Sequence, residues 1–119
     1  MPFCVCLITV PQGDECAGLA RAIVDAKLAA CVNVIPGLNS IYWWEGKISE
    51  SAECLLLAKT DKLKVKALIK FVKSKHPYSV PEVISLRIKE GNRDYLRWIA
   101  QSIGTPPKKQ RIPRGKKPQ

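Results

Sequence analysis

A single histidine, His76, and a single methionine stand in 119 residues. No apolar run comes near the ~20 residues that a membrane-spanning helix requires, so the chain is expected to be soluble, with no transmembrane segment. One imidazole gives a soft-metal centre little to draw on. Signatures of catalysis are missing too: there is no HExxH, no Walker loop, no dinucleotide fingerprint and no Ser-His-Asp spacing. Lys59, Glu82 and Tyr95 have side chains suited to acid–base work, but no motif gathers them, and the sequence points away from an enzyme. The first residues, Met1-Pro2-Phe3-Cys4, lack the basic stretch, apolar run and small-residue cleavage site of a secretory signal. Five cysteines, an odd number, then fit a reducing compartment, so the expectation is a cytoplasmic protein with free thiols and no structural disulfide.

Charge is abundant but unevenly placed. The net +10 includes six basic residues and no acid after position 103, leaving 14 basic against 10 acidic side chains in the first 103. The sequence therefore divides into one domain, 1–103, and a basic, proline-rich, flexible tail, 104–119. The tail would make only weak, salt-sensitive contact with polyanions or anionic lipid. The aromatic motifs of an RNA-binding sheet are missing from residues 3–10 and 54–60, so no specific nucleic-acid partner is expected.

The chain is organised around residues 40–48, where Tyr42, Trp43 and Trp44 precede Glu45 and Gly46. This reads as the tip of a long β-ribbon. Glu45 is a poor first residue for a type I′ turn, so a type I turn with a glycine bulge is predicted. Before it, residues 3–10 are apolar on both faces, as in a covered central strand. Cys16, Leu19, Ala20, Ile23 and Val24 recur at helical spacing after a possible cap at Asp14. Residues 29–35 form a second strand, with a bend or bulge at Pro36 and Gly37. The return strand changes from polar (49–53) to apolar (54–58). Thr60 is expected to cap a second helix, whose apolar side is Val65, Leu68, Ile69 and Val72 and whose lysine stripe is solvated. Residues 83–89 form a fourth strand, and Gly91 and Asn92 open a short third helix.

The order β-α-β-β-α-β with a short C-terminal helix predicts an α+β, ferredoxin-like arrangement, an antiparallel sheet with both main helices on one face. The other face is left bare, which favours a homo-oligomer.

Several blocks then carry a family resemblance over residues 3–103: Ala29-Ala30-Cys31-Val32-Asn33, residues 40–47, Lys59-Thr60, His76-Pro77-Tyr78 with Pro81-Glu82, and Gly91-Asn92 with Tyr95-Leu96 and Trp98-Ile99. Together these closely resemble the CutA family of divalent-cation tolerance proteins. The resemblance implies a tight homotrimer similar to the PII signalling proteins, a cytoplasmic setting and a link to copper(II) and other divalent metals. Ligand positions proposed for bacterial relatives match Ile8, Lys75 and His76 here, so only one of them keeps a ligating side chain.

Two candidate sites follow. His76 with Cys31 is the candidate metal site, completed by threefold symmetry or by proximity; Cys4 and Cys6, on one strand face, read as small buried hydrophobes. Tyr42, Trp44, Lys59, Glu82, Tyr95 and Trp98 form the candidate ligand cleft, aromatic walls with one cation and one carboxylate, lying between subunits and open to a small-molecule ligand. The same residues also read as interface anchors around a Lys59–Glu82 ion pair, with Trp43 an interface anchor. The sequence leaves both readings open.

Overall fold

A computed structural model of the chain describes residues 2–104; the expected tail lies, from residue 105 on, outside the described residues. The elements run β1 (Phe3–Pro11), α1 (Asp14–Asp25), β2 (Cys31–Trp44), β3 (Lys47–Asp61), α2 (Val65–Lys75), β4 (Val83–Arg87) and α3 (Arg93–Ser102), with a 3₁₀ turn at Lys62–Lys64. All pairings are antiparallel, in the order β2-β3-β1-β4. The apolar β1 is central, and its even-numbered residues Cys4, Cys6, Ile8 and Val10 pack with Leu56 and Ala58 of β3 beneath Leu19, Ile23, Leu68 and Val72 of the two main helices. At one end of the sheet α3 buries Ile99, Ala100 and Ile103 on Phe3.

The ribbon is longer than two ordinary strands joined by a turn. β2 runs without interruption from Cys31 to Trp44, and the break expected at Pro36 is a register shift between Ile35 and Leu38, with Gly37 at φ 83°. Projection of this ribbon gives the molecule extents of 53 × 25 × 25 Å. Its tip differs from the predicted turn. Trp44 pairs directly with Lys47, and the two loop residues, Glu45 (φ 49°) and Gly46 (φ 77°), are both left-handed, the type I′ pattern. A two-residue loop that follows the right-handed twist of a long ribbon requires that geometry, and it outweighs the mild strain on Glu45.

Two helix caps also move. Gly13, not Asp14, is the N-cap of α1, and no side chain caps it. Thr60 stays in β3 opposite Cys4, and Asp61 caps the following turn, accepting from the Leu63 amide at 2.8 Å. Pairing with β1 holds residue 60 in the sheet, so the strand runs one residue further than local propensity suggests.

The expectation of five free thiols is corrected as well. Cys16 of α1 and Cys54 of β3 form a disulfide, with Cα atoms 6.4 Å apart, and Cys4, Cys6 and Cys31 are buried outside any disulfide. The helical stripe that carries Cys16 packs on the face of β3 that carries Cys54, and this brings the pair within bonding reach.

Burial, with Cys4 beside it, pushes the Cys6 thiol from 9.0 up to about 11. An unfolded chain releases this proton at the lower value while the folded one holds it to the higher. The unfolded state therefore binds fewer protons in that window, and stability falls as pH rises through it. The wild-type melting temperature should drop more steeply than that of Cys6→Ala between pH 9 and 11. The difference should reach a stability equivalent of about 2–3 kcal/mol at the upper end. Parallel slopes would show that the thiol does not titrate this way.

Candidate functional site

The two main helices cover one sheet face, and the other carries the candidate cleft residues. Antiparallel register puts Cys31 beside Lys59 and Asn33 beside Leu57, all on the open face with Val5 and Leu7 of β1. Ile84 and Leu86 of β4 extend this face at 50% and 51% exposure.

The six candidate cleft residues separate into two groups on this face. Lys59, Tyr95 and Trp98 lie at the α3 end. The Lys59 ammonium donates to Asn33 Oδ1 and reaches Cys31 Sγ at 3.9 Å, and the Tyr95 and Trp98 rings stack with centroids 5.4 Å apart. Burial, with Cys31 adjacent, pushes the Tyr95 phenol up to about 12. Tyr42, Trp44 and Glu82 lie at the opposite end, in a cavity of about 650 Å³ that runs from the base of the ribbon along its strands toward Trp44. Lys59 pairs with Val5 at one end of β1, whereas Glu82 meets Thr9 near the other, so no Lys59–Glu82 ion pair forms.

Sequence reasoning missed most of the other walls of this cavity, among them Thr9, Glu53 and Tyr78. Glu53 was placed in the outer, polar half of β3, yet it faces Pro11 on one side and Leu38 on the other and is buried. Its position at the junction of the polar and apolar halves of β3 was the available signal. Burial, followed by a hydrogen bond to Glu53 and that carboxylate's charge, raises the Tyr78 phenol above its usual value. Tyr42 and Ser51 share a 2.6 Å hydroxyl contact behind it, and Thr9 donates to Glu82 at 3.5 Å.

His76 follows α2 as its C-cap, where the chain turns into Pro77. It is buried, and both ring nitrogens meet backbone: Nε2 lies 2.6 Å from the Thr9 carbonyl and Nδ1 accepts from the Tyr78 amide at 3.0 Å. The imidazole thereby ties the end of α2 and the following loop to β1. In the sheet register, Cys31 is level with Lys59 and Thr9 with Leu55, four residues along the strands or about 13 Å. The subunit does not bring Cys31 and His76 together. Among the described residues no three His, Cys, Asp or Glu side chains gather as a metal centre.

These features define a two-layer α+β protein with a projecting ribbon and a polar, aromatic-walled cavity at the ribbon's base. The chain belongs to the CutA1 divalent ion tolerance protein family, whose model matches residues 4–102. It is 49% identical over 100 residues to the divalent-cation tolerance protein CutA of Thermus thermophilus, covering 84% of this chain and 97% of that one. It is 50% identical over 96 residues to the Xenopus laevis CutA homolog, covering 81% of this chain and 64% of that protein. The CutA1 crystal structure from Oryza sativa superposes with a TM-score of 0.83 at 49% identity, over 86% of this chain and 94% of that one. The chain spans about three fifths of the length of the rice and frog proteins. Relatives are named as chloroplastic in rice and periplasmic in Archaeoglobus fulgidus, so family membership does not fix a compartment. No helix of the described residues is long and apolar enough to cross a membrane.

Proposed function

We propose that this chain is the subunit of a cytoplasmic, ferredoxin-like homotrimer that binds copper(II) or another divalent metal along the seams between copies and so serves divalent-cation tolerance. The observation that carries the assembly is the open sheet face. Ile84, Leu86 and Ile35 lie on it half exposed, and the ribbon beyond adds Ile41 (64%), Trp43 (73%) and Ile48 (64%). By register those three ribbon residues lie on the opposite face of their strands from Ile84 and Leu86, and exposed apolar surface of this extent marks an association site. The strand order β2-β3-β1-β4 under one layer of main helices supports the ferredoxin-like reading.

Membership of a family named for divalent ions supports the metal role, and His76 and Cys31 are its candidate ligands. A metal at His76 displaces one of the two backbone contacts of the ring, and the distance to Cys31 within a subunit calls for ligands from a neighbouring copy. Equilibrium dialysis of the purified protein against Cu²⁺ and Zn²⁺ tests this. Wild type should retain metal, and His76→Gln or Cys31→Ser should bind it at least tenfold more weakly. Retention unchanged in both variants would remove these two residues as ligands.

The cavity favours a second reading, a PII-like sensor that takes a small metabolite or nucleotide in its intersubunit clefts without catalysis. Tyr42, Trp44 and Glu82 would contact the ligand, while Lys59, Tyr95 and Trp98, at the other end of the open face, would meet it only from a neighbouring copy.

A further inference from the structure

The cavity at the base of the ribbon is built around a charge that its own walls do not balance. Glu53 is only 4% exposed and is one of those walls. Its hydroxyl partner, Tyr78, is a neutral phenol, and among the described residues no lysine or arginine lines the cavity. A carboxylate taken out of water is costly unless a cation answers it. Glu82 adds a second negative group on the same side, more exposed and steadied by Thr9. The remaining principal walls are the rings of Tyr42, Trp44 and Tyr78. An aromatic face attracts a positive ion and also accepts the carbon rim of an organic one.

We propose that this cavity binds a small organic cation, an alkylammonium or guanidinium compound, with its charge toward Glu53 and its carbon rim against Tyr42, Trp44 and Tyr78. The proposal rests on the reading of the ribbon base as a ligand cleft and names the chemistry of its ligand. The volume of about 650 Å³ suits a small molecule. A bare divalent ion fits poorly, because among the described residues the cavity offers two carboxylates, one already hydrogen-bonded to Tyr78, and no third ligating acid, thiol or imidazole. Hard divalent cations take six or more oxygens, and soft ones take thiolate or imidazole. An anion meets only negative charge here. A neutral ligand leaves Glu53 unanswered.

Calorimetric titration of the full-length protein provides the test. The probes are n-butylammonium and tetramethylammonium chlorides, measured against sodium chloride at equal ionic strength and against n-butanol, which has the shape without the charge. Saturable heat is expected with at least one ammonium probe and none with n-butanol. Glu53→Gln keeps the side-chain shape and should weaken binding at least tenfold. Trp44→Leu keeps apolar area but loses the π face and should weaken it severalfold. Should Glu53→Gln fail to fold, Glu82→Gln, at an exposed position, should still weaken binding severalfold. Absence of saturation by both ammonium probes on wild-type protein overturns the proposal, as does binding insensitive to both glutamate substitutions. A neutral or anionic compound that saturates in a Trp44-dependent way preserves the cleft and overturns its cationic character. Saturation by ammonium on a protein that sediments as a single chain supports the proposal and overturns the placement of the cleft between subunits.

Discussion

Replacing Ile84 and Leu86 together by aspartate is expected to reduce the sedimenting mass from three times 13.2 kDa to 13.2 kDa, while far-ultraviolet circular dichroism stays unchanged. Both side chains stand on the open face of an edge strand and are about half exposed in the subunit, so their removal costs the isolated fold little. Their place in an assembly is different. A trimer closed through this face would bury two carboxylates per subunit with no cation opposite them on β1, whose facing residues are Leu7 and Val5. An unpaired charge in a low-dielectric seam costs several kcal/mol, and six of them exceed what the lost apolar contacts could offset. A double variant that still sediments as the trimer would move the seam elsewhere, to the ribbon alone. A wild-type protein that sediments as a stable single chain at micromolar concentration would remove the assembly altogether.

The open face was legible because two sequence signals agreed. Residues 3–10 are apolar on both sides, yet the chain supplies only one layer of main helices, and the structure leaves Ile84 and Leu86 of the neighbouring strand half exposed on the uncovered side. Both main helices fell where their apolar spacing put them, because Leu19, Ile23, Leu68 and Val72 have one burial solution against one sheet face. Features set by pairing across the sheet were less legible. Thr60 has the composition of a cap, but hydrogen bonding with β1 continues past it. Glu45 has poor propensity for the left-handed turn it adopts, but the register of Trp44 with Lys47 leaves it no other geometry. In both cases a tertiary constraint that no local window contains overrode the local preference.

The candidate cleft shows the same division. Tyr42, Trp44 and Glu82 line one cavity, because a ribbon and the loop before β4 meet at Thr9. Within one subunit Lys59, Tyr95 and Trp98 stand apart from them, because Lys59 lies four residues along β3 from Leu55, the partner of Thr9. Glu53 escaped notice because acidic residues are ordinarily exposed, and its burial follows from a strand paired on both sides at that point. His76 was singled out as a ligand for its chemistry, whereas in the subunit its ring spans two backbone groups 69 residues apart in sequence, the Thr9 carbonyl and the Tyr78 amide. A lone buried histidine carries no sequence mark that separates these two roles.

Reduction of the Cys16–Cys54 disulfide is the second large effect expected. The link closes a segment of 38 residues that includes α1, β2 and the ribbon turn. Chain-entropy arguments put its stabilisation at about 4 kcal/mol, and for a domain of this size that lowers the melting temperature by about 15 °C. Air-exposed protein, unfolded in denaturant and titrated for thiols, should show three reactive cysteines, corresponding to Cys4, Cys6 and Cys31, and five after dithiothreitol. Cys16→Ser with Cys54→Ala should melt like the reduced wild type and become insensitive to reductant. The hydrophobic packing around the pair is otherwise retained, because Leu19, Ile23 and Leu56 keep α1 on the sheet without the link. Where reductants hold Cys16 and Cys54 as thiols, the subunit would rely on that packing and on its neighbours for stability. Under oxidising conditions the link would hold α1 against the root of the ribbon. A count of five thiols from air-exposed protein would mean that Cys16 and Cys54 are packed neighbours and not bonded, and the two melting curves would then coincide.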